Sequence, residues 1–238
     1  MINSIETYFL LFLIYSFLGW SMEVVIEMIK TKKFINRGFL IGPYCPIYGV
    51  GIVLITLLLE KYNSDVFVIF TFTMVYCGIL EYITSYTMEK LFNARWWEYS
   101  HHKFNINGRV SLETLALFGI GGCLAIYILN PIMFEFIHSI PSLVLNIVSI
   151  ISMIIIIIDT IISFDIILEF KNTAVQLKDN TEEISKKVKE IISQKSALGR
   201  RLINAFPDLE MIKTTIKKKI NEGKEEYENM IKKVKKMK

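Results

Sequence analysis

The chain has 238 residues, with 27 lysines and arginines against 23 aspartates and glutamates, and a formal net charge of +4. Hydrophobic residues make up 53% of it and its mean hydropathy is +0.43, values that argue against an ordinary soluble domain. The apolar residues are concentrated in residues 1–170, whereas residues 171–238 form a charged tail.

Five apolar windows are each about long enough to cross a hydrocarbon core of roughly 30 Å as a helix. They cover residues 8–28, 39–59, 66–88, 112–129 and 142–167. Any one of them could be a buried helix of a soluble protein. Five in succession, with an unbroken isoleucine run at 154–158, predict an all-α, polytopic transmembrane helix bundle.

The basic residues alternate between the predicted loops. The loops at 30–37 and 90–109 carry four lysines or arginines each, the loop near Lys61 carries one, residues 130–141 carry none, and the tail carries eighteen. Because cytoplasmic loops are enriched in lysine and arginine, this pattern predicts a cell-membrane protein whose N-terminus lies outside. The first loop, the third loop and the tail are then cytoplasmic.

The tail carries a net charge of +8, whereas residues 1–170 carry −4. Apolar residues at three–four spacing predict two helices, over about 184–202 and 209–220, separated by Pro207. These helices could form a short coiled coil, lie on the anionic inner leaflet, or be a solvated hairpin.

Ionisable residues inside the predicted spans need a physical reason, because each costs about 2.5–3.5 kcal/mol on insertion scales. Eight carboxylates lie there, all in the predicted inner half: Glu23, Glu27, Glu81, Glu89, Glu113, Asp159, Asp165 and Glu169. This one-sided placement predicts a polar vestibule that opens to the cytoplasm.

Carboxylates near a helix end can instead reach the interface, which is the simpler interpretation of Glu27, Glu89 and Glu169. The acids further inside, Glu23, Glu81 and Asp159, are expected to have buried partners. Arg37 and Arg109 are the expected partners, since each stands just before a span that starts at the cytoplasmic side. Such pairs could be architectural or could form a binding site.

The segment 34–51 is expected to interrupt the second span, because it contains four glycines and two prolines: Gly38, Gly42, Pro43, Pro46, Gly49 and Gly51. Broken helices at membrane depth occur where they line a cavity or are buried by protein. Close helix packing through small residues is the rival explanation.

The segment 93–109 is predicted to be an interfacial or re-entrant loop, with Trp96, Trp97 and Tyr99 in the headgroup belt. Glu98, His101 and His102 resemble metal ligands, but no second ligand cluster stands at suitable spacing, so no metal and no other cofactor is predicted. A phosphate contact through Arg95, His101 and Arg109 is the better interpretation.

The sequence contains none of the common motifs of catalysis or nucleotide binding that we looked for, so they assign no activity to the chain. No phosphate-binding loop, nucleophile elbow or zinc-protease signature is present, so an enzymatic role is left open and a nucleic-acid partner is not expected. The glycines at 119–122 lie within a span and indicate helix packing.

Several separated motifs resemble one family. Tyr15–Trp20 followed by Glu23, Asn36–Phe39, Pro46–Gly49, Trp96–Ser100 and Gly108-Arg109 are similar to the CmpB-like membrane proteins of bacteria labelled "putative ABC-transporter type IV". The resemblance covers residues 8 to about 170, and Ala205–Pro207 in the tail is similar as well. Glu98 stands where the family commonly has aspartate. The resemblance implies a multi-pass permease, but no substrate and no catalytic residue.

Three functions are therefore weighed. The first is the permease subunit of a transporter, energised by a separate ATP-binding subunit. The second is a membrane-embedded enzyme acting on a lipid or lipid-linked substrate, and the third is a scaffold acting through its tail. Membrane lipids and a second copy of the chain are further possible partners. The candidate site residues are Glu23, Arg37, Glu81, Arg109, Glu113 and Asp159, with Trp96, Trp97, Glu98, Tyr99 and His101 in the interfacial loop.

Overall fold

A computed structural model of the protein describes residues 4–92, 94–176, 201 and 210–211. In chain order the helices are α1 (Ile5–Thr31), α2 (Pro46–Leu59), a 3-10 turn (Glu60–Tyr62), α3 (Val66–Phe92), α4 (Leu112–Leu124), a π-helical turn (Ala125–Leu129), α5 (Asn130–His138) and α6 (Ser142–Gln176). The short strands are β1 (Ala94–Arg95), β2 (Asn105–Ile106), β3 (Val110–Ser111) and β4 (Glu210–Met211). The predicted all-α transmembrane class is confirmed. The tail helices expected at 184–202 and 209–220 lie outside the described residues, apart from 201 and 210–211.

Four continuous helical stretches of the described chain are long and apolar enough to cross a membrane: Ile5–Thr31, Val66–Phe92, Leu112–His138 and Ser142–Leu168. Each has 27 residues, or about 40 Å at a rise of 1.5 Å per residue. The predicted first, third, fourth and fifth windows lie inside such stretches. The fold is therefore a membrane bundle.

The second predicted window is helical over only part of its length. Its helix begins at Pro46 rather than at residue 39, and α2 has 14 residues, about 21 Å long. Proline is suited to this first position, because the first helical amide has no partner within the helix. Residues 32–45 are not helical, and Cys45 donates its backbone N–H to the Ser16 carbonyl of α1 at 2.9 Å. Because Ser16 lies near the middle of α1, this stretch enters the bundle, and we call residues 32–45 the re-entrant segment.

The fourth predicted window is helical over a longer stretch than expected. The residues predicted to be a loop, 130–141, are helical as far as His138. Pro131 lacks a backbone N–H, and the chain accommodates this proline by widening into the π-helical turn Ala125–Leu129 just before it.

The helices pack through small residues where they come closest. A Cβ added at Gly49 would lie 2.3 Å from the Phe12 carbonyl oxygen, and one added at Gly19 would lie 2.3 Å from the ring of Tyr48. Glycine at both positions therefore lets α1 and α2 approach closely and sets the position of Tyr48.

The chain between α3 and α4 is a structured loop. Strands β2 and β3 pair antiparallel around a turn in which Asn107 and Gly108 have φ of 54° and 68°. Asn and Gly are the residues that tolerate this left-handed backbone. Strand β1, directly after α3, pairs with β4 of the tail, with Ala94 opposite Met211 and Arg95 opposite Glu210. The loop is therefore joined to the tail.

Candidate functional site

Asp159 of α6 holds the re-entrant segment through backbone amides. Its carboxylate accepts hydrogen bonds from the N–H groups of Ile41 and Gly42 at 2.8 and 2.7 Å. It also accepts from the hydroxyl of Tyr44 at 2.5 Å and from that of Ser163 at 2.9 Å. A non-helical segment leaves its amides without helical partners, and one buried carboxylate satisfies two of them here. Asp159 therefore has a partner other than the predicted arginines.

The carbonyls of the same segment have side-chain partners as well. Asn36 donates its amide N–H to the Ile41 carbonyl at 3.1 Å and accepts from the Trp20 indole at 2.6 Å. Arg201 of the tail donates to the carbonyl oxygens of Gly38 and Leu40. Side chains from α1, α6 and the tail thus hold the re-entrant segment.

Two glutamates within the bundle each accept a hydrogen bond from a tyrosine of another element. Tyr48 of α2 donates to Glu23 Oε1 of α1 at 2.6 Å, and Tyr99 of the loop donates to Glu81 Oε1 of α3 at 3.3 Å. Burial, then the charges of Glu81 and Glu23, raise the pKa of Tyr99 far above its usual range, so Tyr99 stands near both acids. We call Glu23, Tyr48, Glu81 and Tyr99 the tyrosine–carboxylate cluster.

Arg109 pairs with Glu89 rather than with one of the deeper acids Glu23, Glu81 and Asp159 for which it was an expected partner. Its Nη1 lies 2.7 Å from Glu89 Oε2 and donates to Ser85 Oγ at 3.3 Å. Ser85 and Glu89 follow Glu81 at four and eight residues on α3, so the guanidinium ends one helical turn short of Glu81. Glu89 also accepts from Arg95 at 2.8 Å, which makes it a half-buried bridge between two arginines.

The remaining candidate charges lie at the rim of the bundle. Arg37 contacts Glu27 at 3.7 Å, and the expected pairing of Arg37 with a deeper acid is not what the structure has. Glu113 pairs with His102 at 2.8 Å and its side chain is 72% exposed. Asp165 is exposed, and the side chain of Glu169 lies outside the described residues. The acids whose contacts the structure describes therefore belong to several separate pairs, and the vestibule that would join them stays a prediction.

The aromatic loop is folded against the bundle. Trp96, predicted for the headgroup belt, packs its ring against Phe92 at 5.5 Å and Phe39 at 6.1 Å between centroids, next to Phe164. Trp97 donates its indole N–H to the Arg109 carbonyl at 3.0 Å. Trp96 thus makes apolar contacts with α3 and the re-entrant segment, and its placement in the headgroup belt stays a prediction.

Glu98 and His101 belong to the outer part of this loop. Burial tends to raise the pKa of Glu98, but hydrogen bonds from Ser100 and Arg95 keep it below its usual value. The rings of His101 and His102 lie 4.3 Å apart. Within the described residues no group of three or more His, Cys, Asp or Glu is placed to hold a metal ion.

A buried polar trio lies further from the charged loops. Tyr15 of α1 donates to Asn130 Oδ1 at 2.7 Å, and Asn130 Nδ2 donates to Thr56 Oγ1 of α2 at 2.8 Å. Tyr15 precedes Glu23 by eight residues, or about 12 Å along α1. Buried polar side chains therefore occur well beyond the tyrosine–carboxylate cluster.

Several of these residues were missed from the sequence: Tyr44, Tyr48, Ser163, Asn130, Thr56 and Arg201. The two tyrosines could have been found, because a phenol within a bundle needs a hydrogen-bond acceptor and both lie within the Gly/Pro-rich segment 34–51. Asn130 stood in a predicted loop. Nothing in the local pattern around Arg201 indicates a contact with a segment 161 residues away.

These features define a polytopic α-helical membrane protein with a re-entrant segment and buried ionisable side chains. Residues 10–164, more than half of the chain, match the family described as "Putative ABC-transporter type IV", and the chain belongs to that family. The resemblance stated from the sequence motifs is thus confirmed. No curated protein and no solved structure matches the chain.

Proposed function

We propose that this chain is the permease subunit of a transporter that is energised by a separate ATP-binding subunit. The observation that carries the proposal is the tyrosine–carboxylate cluster inside the bundle, beside a non-helical segment. In transporters, substrate and ion sites are commonly formed where a helix is discontinuous near the bilayer midplane. Membership of an ABC-transporter family supports the same function.

The polar side chains supply the start of a route through the bundle. The tyrosine–carboxylate cluster occupies the predicted inner half, and the trio of Tyr15, Asn130 and Thr56 continues the polar groups towards the predicted outer half. Such groups are costly in a lipid-facing bundle unless they serve packing or passage. Their alignment along α1 and α2 supports passage of a polar solute.

The cytoplasmic loops and the tail are the proposed docking surface of the ATP-binding subunit, under the predicted orientation with the N-terminus outside and the tail inside the cell. The pairing of β1 with β4 and the contact of Arg201 with Gly38 and Leu40 connect the tail to both loops. A partner bound there would therefore act directly on the re-entrant segment. Lipids and a second copy of the chain are further proposed partners.

A lipid-modifying enzyme is the weaker alternative on this geometry. It needs arginines free to clamp a phosphate, whereas Arg95 and Arg109 both contact Glu89 and Arg95 also contacts Glu98. A scaffold acting through the tail depends on residues outside the described part of the chain. Neither alternative accounts for the buried Glu81 or for the half-buried Glu23 that bonds Tyr48.

Metabolite accumulation in cells tests the proposed function. A strain that lacks the chain is complemented with the parent protein, with Glu81→Gln, or with Glu135→Gln, an exposed acid of α5. We expect the concentration of at least one solute to differ between the deletion strain and the parent-complemented strain. Glu135→Gln should restore the parent concentration of that solute, and Glu81→Gln should not. Identical solute profiles in all strains, at equal expression, would refute the permease role.

A further inference from the structure

When ionised, the tyrosine–carboxylate cluster carries negative charge that no lysine or arginine among the described residues pairs with. Glu23 and Glu81 each accept one hydrogen bond from a neutral phenol. Neither makes a salt bridge with a lysine or arginine of the described chain, because Arg37 contacts Glu27 and Arg109 contacts Glu89. A buried carboxylate without a compensating charge is strongly unfavourable.

One carboxyl oxygen of Glu81 has no hydrogen-bond donor among the described residues. Glu81 is 7% exposed, and its Oε2 atom is buried with no hydrogen-bond partner in the described part of the protein. The other carboxyl oxygen, Oε1, is the one that accepts from Tyr99. A buried, unpartnered carboxylate oxygen costs about 1–3 kcal/mol or more, so the site is incomplete as it stands.

We infer that the cluster binds a monovalent cationic centre, either an alkali ion or an ammonium group. The ligands are Glu81 Oε2 and the Glu23 carboxylate, with the phenolic oxygens of Tyr48 and Tyr99, which keep a free lone pair while they donate. Carboxylate and hydroxyl oxygens are hard donors that suit hard cations. This inference rests on the proposed function and gives that permease a cation as its substrate or coupling ion.

The geometry favours a single positive charge over a divalent metal. Divalent cations such as Ca²⁺ take six to eight oxygen ligands, commonly with several carboxylates. Among the described residues no group of three His, Cys, Asp or Glu converges on one point. Two carboxylates flanked by phenols fit an ammonium group or a weakly coordinated alkali ion better.

Thermal unfolding of the full-length protein in lipid nanodiscs tests the site without any transport. Sodium, potassium or methylammonium chloride replaces N-methyl-D-glucamine chloride at constant ionic strength and pH. Because a ligand that binds the folded state stabilises it by mass action, we expect a saturable rise in Tm with at least one of the three. Which cation gives the rise distinguishes an alkali ion from an ammonium group.

Substitutions test whether the rise in Tm comes from cation binding at the tyrosine–carboxylate cluster. Glu81→Gln should abolish the shift, whereas the exposed Glu135→Gln should retain it. Tyr99→Phe is the milder variant in case Glu81→Gln fails to fold, and it should raise the half-saturating concentration about tenfold.

Four results would overturn the inference: no shift with any cation, a shift that survives Glu81→Gln, a shift given only by MgCl₂ or CaCl₂, or stabilisation produced only by lowering the pH. The last would mean that a proton neutralises the cluster. A negative Tm experiment would overturn the cation site without affecting the solute comparison in cells. A rise in Tm with a cation, together with identical solute profiles in all strains, would refute only the permease role.

Discussion

Asp159 offers the sharpest test of how the re-entrant segment is held. The carboxylate is 8% exposed and accepts from two backbone amides, those of Ile41 and Gly42, and from two hydroxyls. Asp159→Ala removes every acceptor at once. Asp159→Asn keeps one oxygen but turns an N–H₂ group towards one of the amide donors, so that one amide bond is lost.

The expected magnitude follows from the number of amides left without a partner. A buried donor that loses its acceptor costs about 1–3 kcal/mol, so we expect about 1–3 kcal/mol for Asp159→Asn and about 2–6 kcal/mol for Asp159→Ala. Since about 1.4 kcal/mol corresponds to a factor of ten, the asparagine variant should raise the equilibrium constant for local opening of the segment about 5- to 150-fold. The tyrosine and serine hydroxyls can rotate to other acceptors and are left out of this sum.

Hydrogen exchange of peptides from residues 36–45, measured on the protein in lipid nanodiscs, reports this opening directly. Asp165→Asn, an exposed carboxylate on the same helix, is the matched control and should exchange like the parent. Equal exchange in the parent and in Asp159→Ala would refute the claim that Asp159 holds the segment. So would an equal change in Asp165→Asn.

Three further outcomes are expected. Gly119→Ala should lower the free energy of unfolding by about 1–3 kcal/mol, because its Cβ would lie 2.6 Å from the ring of Phe70, whereas Gly121→Ala, with nothing within 4 Å, should be neutral or stabilising in the same denaturation assay. Asn130→Ala should cost about 2–5 kcal/mol in that assay, since it removes an acceptor and a donor of the buried trio; a loss below 1 kcal/mol would contradict the role of those bonds. The pKa of Glu98 is lower in the folded loop than its ordinary value of 4.5. The ionised carboxylate therefore stabilises the folded loop fully above about pH 4.5, and this stabilisation is lost as the pH falls through the pKa of the folded state. The protection of the 94–111 loop against hydrogen exchange, relative to the intrinsic exchange rate at each pH, should therefore fall on acidification in the parent and less so in Glu98→Gln.

The fold class could be predicted because lipid imposes simple rules on the sequence. A helix that satisfies its own backbone groups needs about 20 apolar residues, and three windows met that requirement without interruption. The boundaries that differ are those where proline acts. Pro46 starts a helix that hydropathy alone begins at residue 39, and Pro131 is absorbed by a π-helical turn that no apolar pattern reveals.

The site was only partly predictable. Which groups pair with a carboxylate depends on how deep each side chain lies in the bundle and on where it points, and the charge of the residue alone does not give this. Sequence order placed Arg109 beside the start of α4, but reaching Glu81 would have required one more turn of descent past Ser85. The partner of Asp159 was equally hidden, since it is backbone and not a side chain. The Gly/Pro-rich break indicated freed amides, but which carboxylate they meet depends on how α6 packs.

The re-entrant segment connects parts of the chain that are far apart in sequence. Its amides are held by Asp159, 118 residues from Ile41, and its carbonyls by Arg201, 161 residues from Leu40. A shift of α6 or of the tail therefore leaves backbone groups of the segment unsatisfied, at about 1–3 kcal/mol each. The segment leads directly into α2, which carries Tyr48 to Glu23. We therefore expect a movement of the tail to change the geometry of the tyrosine–carboxylate cluster through this segment.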